Sequence, residues 1–127
     1  MKKILILDGR EETLLILSKV LRTYNVEVIT TTNIEEAEST LKSTFFNLVI
    51  TDARMNGELG REGLELLEYV REKSPGTRVI IMTTSGSPES EKEAYERGAY
   101  CYFEKPIDLR VLNDCLKEIG IHSDIME

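Results

Sequence analysis

Short uninterrupted apolar runs constrain this chain most: Ile4-Leu5-Ile6-Leu7, Leu48-Val49-Ile50 and Val79-Ile80-Ile81-Met82. A strand wetted on one face alternates apolar with polar residues, so a strand without alternation is covered on both faces. The segments between the runs carry apolar residues at helical spacing. Glu11-Glu12 opens one with Leu14, Leu17, Leu21 and Tyr24, its acids at the positive end of the helix dipole. Val26-Glu27-Val28-Ile29-Thr30 is β-branched and alternating, a second strand. Asn33 followed by Glu36 starts a helix of the capping-box kind, with Ile34, Ala37 and Leu41 inward. The run from Leu48 continues through Thr51 and ends at Asp52; Leu64, Leu67 and Val70 then give a helix that stops near Ser74-Pro75-Gly76. Ser87-Pro88 supplies an N-cap and a first-turn proline for a helix ending at Gly98. Tyr100-Cys101-Tyr102-Phe103 reads as the fifth strand, and Asp108 caps a last helix with Leu109, Leu112, Leu116 and Ile119, onto which Ile107 staples through Leu112.

Five strands alternating with five helices through short connections predict an α/β, doubly wound, three-layer sandwich around a parallel sheet. Ligands of such sheets bind beyond the carboxyl ends of the strands, where the strand order reverses. That rule locates a site before any motif is considered.

The 127 residues suit a single domain, expected over residues 1–121 with a tail at 122–127. Sixteen Lys+Arg against 23 Asp+Glu give a net charge of −7, which argues against direct nucleic-acid binding. No apolar run approaches the roughly 18 residues of a membrane span, and Met1-Lys2-Lys3 leads straight into a strand, so a cytoplasmic protein is expected. Cys101 and Cys115 are too few for a disulfide framework or a zinc site and read as reduced thiols. His122 reads as a surface residue.

Strand one ends in Asp8, strand three in Asp52, strand four in Thr83-Thr84, and Lys105-Pro106 follows strand five. Each alone reads as a loop cap or solvated charge. Together, two carboxylates, a hydroxyl and an ammonium converging on one sheet edge are harder to dismiss as four separate caps.

These residues, with Ile4-Leu5-Ile6-Leu7-Asp8, Asn47-Leu48-Val49-Ile50-Thr51-Asp52, Val79-Ile80-Ile81-Met82-Thr83 and Gly98-Ala99-Tyr100-Cys101-Tyr102-Phe103-Glu104-Lys105-Pro106, resemble the receiver domain of two-component response regulators over essentially the whole chain. The resemblance implies a flavodoxin-like sheet of order 2-1-3-4-5. It implies that Asp52 is the phosphoacceptor, Lys105 pairs with the phosphate, Thr83 is the switch hydroxyl and Tyr102 the switch aromatic. Mg²⁺ would be held by Asp8, Asp52 and the backbone carbonyl of Arg54, and the Lys105-Pro106 bond would be cis, aiming the lysine inward. The implied partners are a sensor histidine kinase, a downstream effector domain or protein, and a second copy through strand five and its flanking helices. Activity would be limited to self-catalysed phosphotransfer and autodephosphorylation.

The main departure is Gly9, where the family usually has a second acid that ligates the metal. The usual three carboxylates and one lysine carry −2, which a divalent ion cancels. Here Asp8, Asp52 and Lys105 carry −1, and Arg10 folded inward brings the pocket to zero, so a cation is held less tightly. Glu11 or Glu12 could substitute as a ligand, although both read better as exposed first-turn acids. Two readings stay open: an Asp52 phosphoacceptor with weakly held Mg²⁺, or a degenerate receiver that docks partners without phosphorylation, with Arg10 where the metal would be. The intact Asp52, Thr83, Tyr102 and Lys105 favour the first.

Asn56 replaces the family's usual proline after Met55, and Gly57-Glu58-Leu59-Gly60-Arg61-Glu62-Gly63 forms a longer, mobile loop, without the Lys-Ser/Thr ending of a phosphate-binding loop. Arg54 and Ser85 would border the phosphoryl group by the same resemblance. Tyr95, Tyr100 and Tyr102 mark a candidate contact face, with Tyr95 the one read most readily as ordinary packing.

Other functions fit less well. A flavin-binding protein needs a Ser/Thr/Gly-rich cradle after strand one, where this chain has Asp8-Gly9-Arg10-Glu11-Glu12. A hydrolase needs a histidine near a strand end or a nucleophile elbow. A DNA-binding regulator requires further domains, so the chain is either a stand-alone receiver or a part of a longer regulator.

Overall fold

The computed structural model describes residues 1–22, 26–53, 62–84 and 86–121, and of Glu62 only the backbone. Five strands alternate with five helices: β1 (Lys2–Leu7), α1 (Glu11–Leu21), β2 (Val26–Thr31), α2 (Ile34–Ser43), β3 (Leu48–Asp52), α3 (Glu62–Lys73), β4 (Arg78–Thr83), α4 (Pro88–Glu96), β5 (Cys101–Glu104) and α5 (Leu109–Glu118). The strands form one parallel sheet in the order β2-β1-β3-β4-β5, so the expected topology holds.

Alternation along each strand sends neighbouring side chains to opposite layers. Ile4, Ile6, Leu48, Ile50, Ile80 and Met82 meet Leu14, Leu17 and Leu21 of α1 and Leu112, Cys115 and Leu116 of α5. Leu5, Leu7, Val49, Val79 and Ile81 meet Ala37 of α2, Leu66, Leu67 and Val70 of α3 and Ala94 of α4. Covering both faces explains why these strands lack polar alternation.

The helix starts follow their sequence signals. Asn33 Oδ1 accepts the Glu36 N–H at 2.7 Å, Ser87 Oγ accepts the Ser90 N–H at 3.1 Å, and Asp108 Oδ1 accepts the Arg110 N–H at 2.9 Å. Past the end of α4, Gly98 takes φ +104°, a left-handed conformation that favours glycine. Ile107 packs against the cluster that holds Leu112.

Three expectations need correction. Glu62 and Gly63 belong to the first turn of α3, not to a loop; Gly63 donates its N–H to the Ala53 carbonyl at 3.2 Å. Strand five begins at Cys101; Tyr100 precedes it, although its N–H still bonds the Val79 carbonyl at 2.7 Å. Tyr95, expected to pack, is 46% exposed on α4, whereas Tyr102 is buried, because β5 turns Tyr102 into the α4 layer. Tyr24, Arg54, Asn56, the segment 57–61, Ser85 and His122 lie outside the described residues.

Candidate functional site

The register of the sheet assembles the site. Leu7 pairs with Thr51, so the residues that follow them, Asp8 and Asp52, leave adjacent strands side by side. Asp52 pairs with Met82, so Thr83 lies one step beyond it on the next strand. Thr83 pairs with Glu104, so Lys105 comes next. Four side-chain positions thus converge on one edge, at the point where β1 and β3 part company with their sequence order.

Lys105 closes the group. Its Nζ donates to Asp8 Oδ2 at 2.6 Å and to Asp52 Oδ2 at 3.1 Å. Its N–H donates to the Thr83 carbonyl at 2.8 Å, which fixes the stem, and the Lys105-Pro106 bond is cis. Asp8 is fully buried, and its Oδ1 accepts the Arg10 N–H at 2.7 Å. Asp52 and Thr83 are buried as well. Carboxylates taken from water are tolerated only where paired and hydrogen-bonded, and the shared ammonium supplies that pairing.

Arg10 lines a cavity of about 430 Å³ together with Lys105, Thr84, Met82 and Leu109; Asp8 and Asp52 do not line it, so the cavity lies beside the acidic pair and meets it through Lys105. Glu11 and Glu12 are exposed in the first turn of α1, as read from the sequence. Tyr102 packs among Ala94, Ala99 and Val79. Burial pushes its phenol up; Ser87 and Ser90 lie near enough to oppose that, without closing a hydrogen bond of ordinary geometry.

The sequence does not reveal that two glycines near the strand ends permit close packing there. A Cβ on Gly63 would stand 2.0 Å from the Asp52 carbonyl oxygen, so only glycine lets α3 approach the end of β3 this closely. A Cβ on Gly86 would stand 2.6 Å from Glu104 Oε1. The glycines are visible in the sequence, but the approach is a tertiary fact.

A family model described as the response regulator receiver domain matches residues 4–117. The chain belongs to that family. A transcriptional regulatory protein ZraR of Klebsiella oxytoca is 32% identical over 124 residues, covering 98% of this chain and 27% of that protein. The sporulation initiation phosphotransferase F of Bacillus subtilis (strain 168) is 28% identical over 117 residues, covering 92% of each. A CheY-like receiver domain protein from Methanospirillum hungatei JF-1 superposes with a TM-score of 0.83 at 30% identity, covering 93% of this chain and 92% of the other. The chain spans only about a quarter of the length of several curated relatives it matches, ZraR among them.

Receiver domains generally bind Mg²⁺ at the acidic pocket. In this chain the described residues do not fit a resident divalent ion. Gly9 removes one carboxylate, both oxygens of Asp8 are engaged by Lys105 and the Arg10 N–H, and Lys105 already bridges the two acids. Among the described residues no three His, Cys, Asp or Glu side chains stand together as a metal site. No described helix is long and apolar enough to cross a membrane.

Proposed function

We propose that the chain is a phosphoacceptor receiver: Asp52 takes a phosphoryl group from a phosphohistidine on a sensor histidine kinase. An Asp52 carboxylate oxygen forms a bond to phosphorus as the phosphorus–nitrogen bond of the donor breaks, and the departing imidazole takes a proton from water. The observation that carries this reading is the Lys105 ammonium held within hydrogen-bonding distance of both Asp8 and Asp52, a fixed cation beside an acceptor oxygen.

Thr83, at the end of the neighbouring strand, is the switch hydroxyl, and Tyr102 the switch aromatic that reports the phosphoryl group to the α4–β5–α5 face. Exposed Tyr95 on α4 and Val111 on α5 belong to that face. It meets a downstream effector domain or protein, or a second copy of the chain. The setting is cytoplasmic, and the chemistry is limited to the chain's own phosphorylation and autodephosphorylation. A degenerate receiver, docking partners without phosphorylation, is the second reading, and Gly9 is the residue that favours it.

Incubation with acetyl phosphate, followed by intact-mass spectrometry, tests the proposal. One phosphoryl adduct is expected on the wild type and none on Asp52→Asn. Absence of an Asp52-dependent adduct overturns the phosphoacceptor reading in favour of the second.

A further inference from the structure

Asp8, Asp52 and Lys105 leave the resting pocket at −1, and an acyl phosphate dianion on Asp52 takes it to −2. Phosphorylation therefore calls for more positive charge than the resting pocket holds. Without the third acid the pocket attracts a divalent ion less strongly, which leaves room for a cation supplied by the protein.

Arg10 stands where it can serve. Its backbone is tied to the pocket by the 2.7 Å bond from its N–H to Asp8 Oδ1, and it is the last residue before α1. Its side chain is exposed and shares the cavity of about 430 Å³ with Lys105 and Thr84. Among the described residues the guanidinium makes no hydrogen bond or ion pair, whereas Lys105 is committed to both acids. A guanidinium is permanently charged, weakly hydrated, and binds phosphate oxygens through paired N–H donors.

Resting on the reading of Asp52 as the phosphoacceptor, we propose that Arg10 closes on the phosphoryl group of Asp52 and, with Lys105, supplies the charge for which receivers generally use a divalent cation. Transfer itself is unchanged: the Asp52 oxygen–phosphorus bond forms as the donor's bond to phosphorus breaks, and the leaving group departs with the electron pair. Arg10 neutralises charge on the phosphoryl oxygens and returns the phosphorylated pocket to −1. Closure of Arg10 over the cavity also links phosphorylation to the α1 surface, where Ile16 is exposed at the cavity rim.

The test uses the full chain, acetyl phosphate with either Mg²⁺ or EDTA, and mass spectrometry of the Asp52 adduct. Mn²⁺ binding is followed separately by electron paramagnetic resonance. Wild-type labelling is expected to differ by less than about threefold between Mg²⁺ and EDTA, with no stoichiometric Mn²⁺ site. Arg10→Ala should lower labelling about tenfold in EDTA, and Arg10→Lys should recover part of it, as expected for loss of a charge-assisted contact. Gly9→Asp should gain a Mn²⁺ site and Mg²⁺-stimulated labelling. Wild-type labelling that needs Mg²⁺ and ignores Arg10→Ala overturns the role of Arg10 while leaving Asp52 the phosphoacceptor. No Asp52 adduct under any condition overturns both.

Discussion

Lys105 Nζ lies 2.6 Å from Asp8 Oδ2 although 97 positions separate the two residues in sequence. Asp8 is fully buried, and that contact and the Arg10 N–H supply the hydrogen bonds its carboxylate makes. The same ammonium reaches Asp52 at 3.1 Å, so one side chain balances both acids. The side chain proposed to serve the chemistry is therefore also the one that holds the pocket together.

Lys105→Met should consequently cost both stability and phosphorylation. Removing one member of a buried charged set leaves the others uncompensated, a loss of about 3–5 kcal/mol in a fully buried pair. The lysine side chain keeps 12% of its exposure, so about 2–3 kcal/mol is expected by urea unfolding. Asp8→Asn combined with Lys105→Met should recover part of that loss, whereas Asp52 labelling should fail in both variants.

Gly63→Ala sets helix propensity against close packing. Alanine would favour α3 by about 1 kcal/mol over glycine, but its Cβ meets the Asp52 carbonyl oxygen at 2.0 Å. Backbone on both sides cannot yield, so net destabilisation of about 2 kcal/mol or more is expected. Gly76→Ala, whose Cβ would meet only the Phe45 ring at 3.6 Å, should stay within about 0.5 kcal/mol of wild type. Equal midpoints for the two variants in thermal melts would contradict this account.

Burial on α5 pushes the Cys115 thiol well above its ordinary range, with the neighbouring Cys101 thiol the next cause. Below the ordinary value of 9.0 both the folded and the unfolded chain keep the proton, and the group's contribution to stability is constant. Above it the unfolded chain ionises while the folded one does not, so stability falls as pH rises, by up to about 1.4 kcal/mol per unit. Cys115→Val should flatten this decline between about pH 9 and 10, read as urea midpoints against pH. Iodoacetamide at neutral pH should leave Cys115 unmodified in the folded protein.

Tyr95 on α4 and Tyr102 on β5 should respond to truncation very differently. Tyr102→Phe should change stability by less than about 1 kcal/mol, because the hydroxyl makes no hydrogen bond of ordinary geometry. Tyr102→Ala should cost about 3 kcal/mol or more through the cavity left against Ala94 and Ala99. Tyr95→Ala, on an exposed ring, should stay within about 0.5 kcal/mol.

Much of the fold is legible in the chain because its signals are local. The unalternating runs from Ile4, Leu48 and Val79 announce strands covered on both faces, and the structure covers them with α1 and α5 on one side and α2, α3 and α4 on the other. Asn33, Ser87 and Asp108 mark helix starts because each cap is satisfied within three residues. The errors fall where the outcome depends on a distant element. Gly63 looks like a loop glycine until α3 is brought against the end of β3, and Tyr95 looks like a packing residue until β5 shows that Tyr102 fills that layer.

The linear chain carries the architecture and the residue types at the strand ends, since periodicity and capping act over a few residues. It also determined that Gly9 removes a carboxylate. Tertiary structure alone decided that Lys105 spans Asp8 and Asp52, and that Arg10 shares a cavity with that lysine. Those relationships follow from the register of parallel strands joined by crossover helices, and no local signal specifies distances between side chains so far apart along the chain.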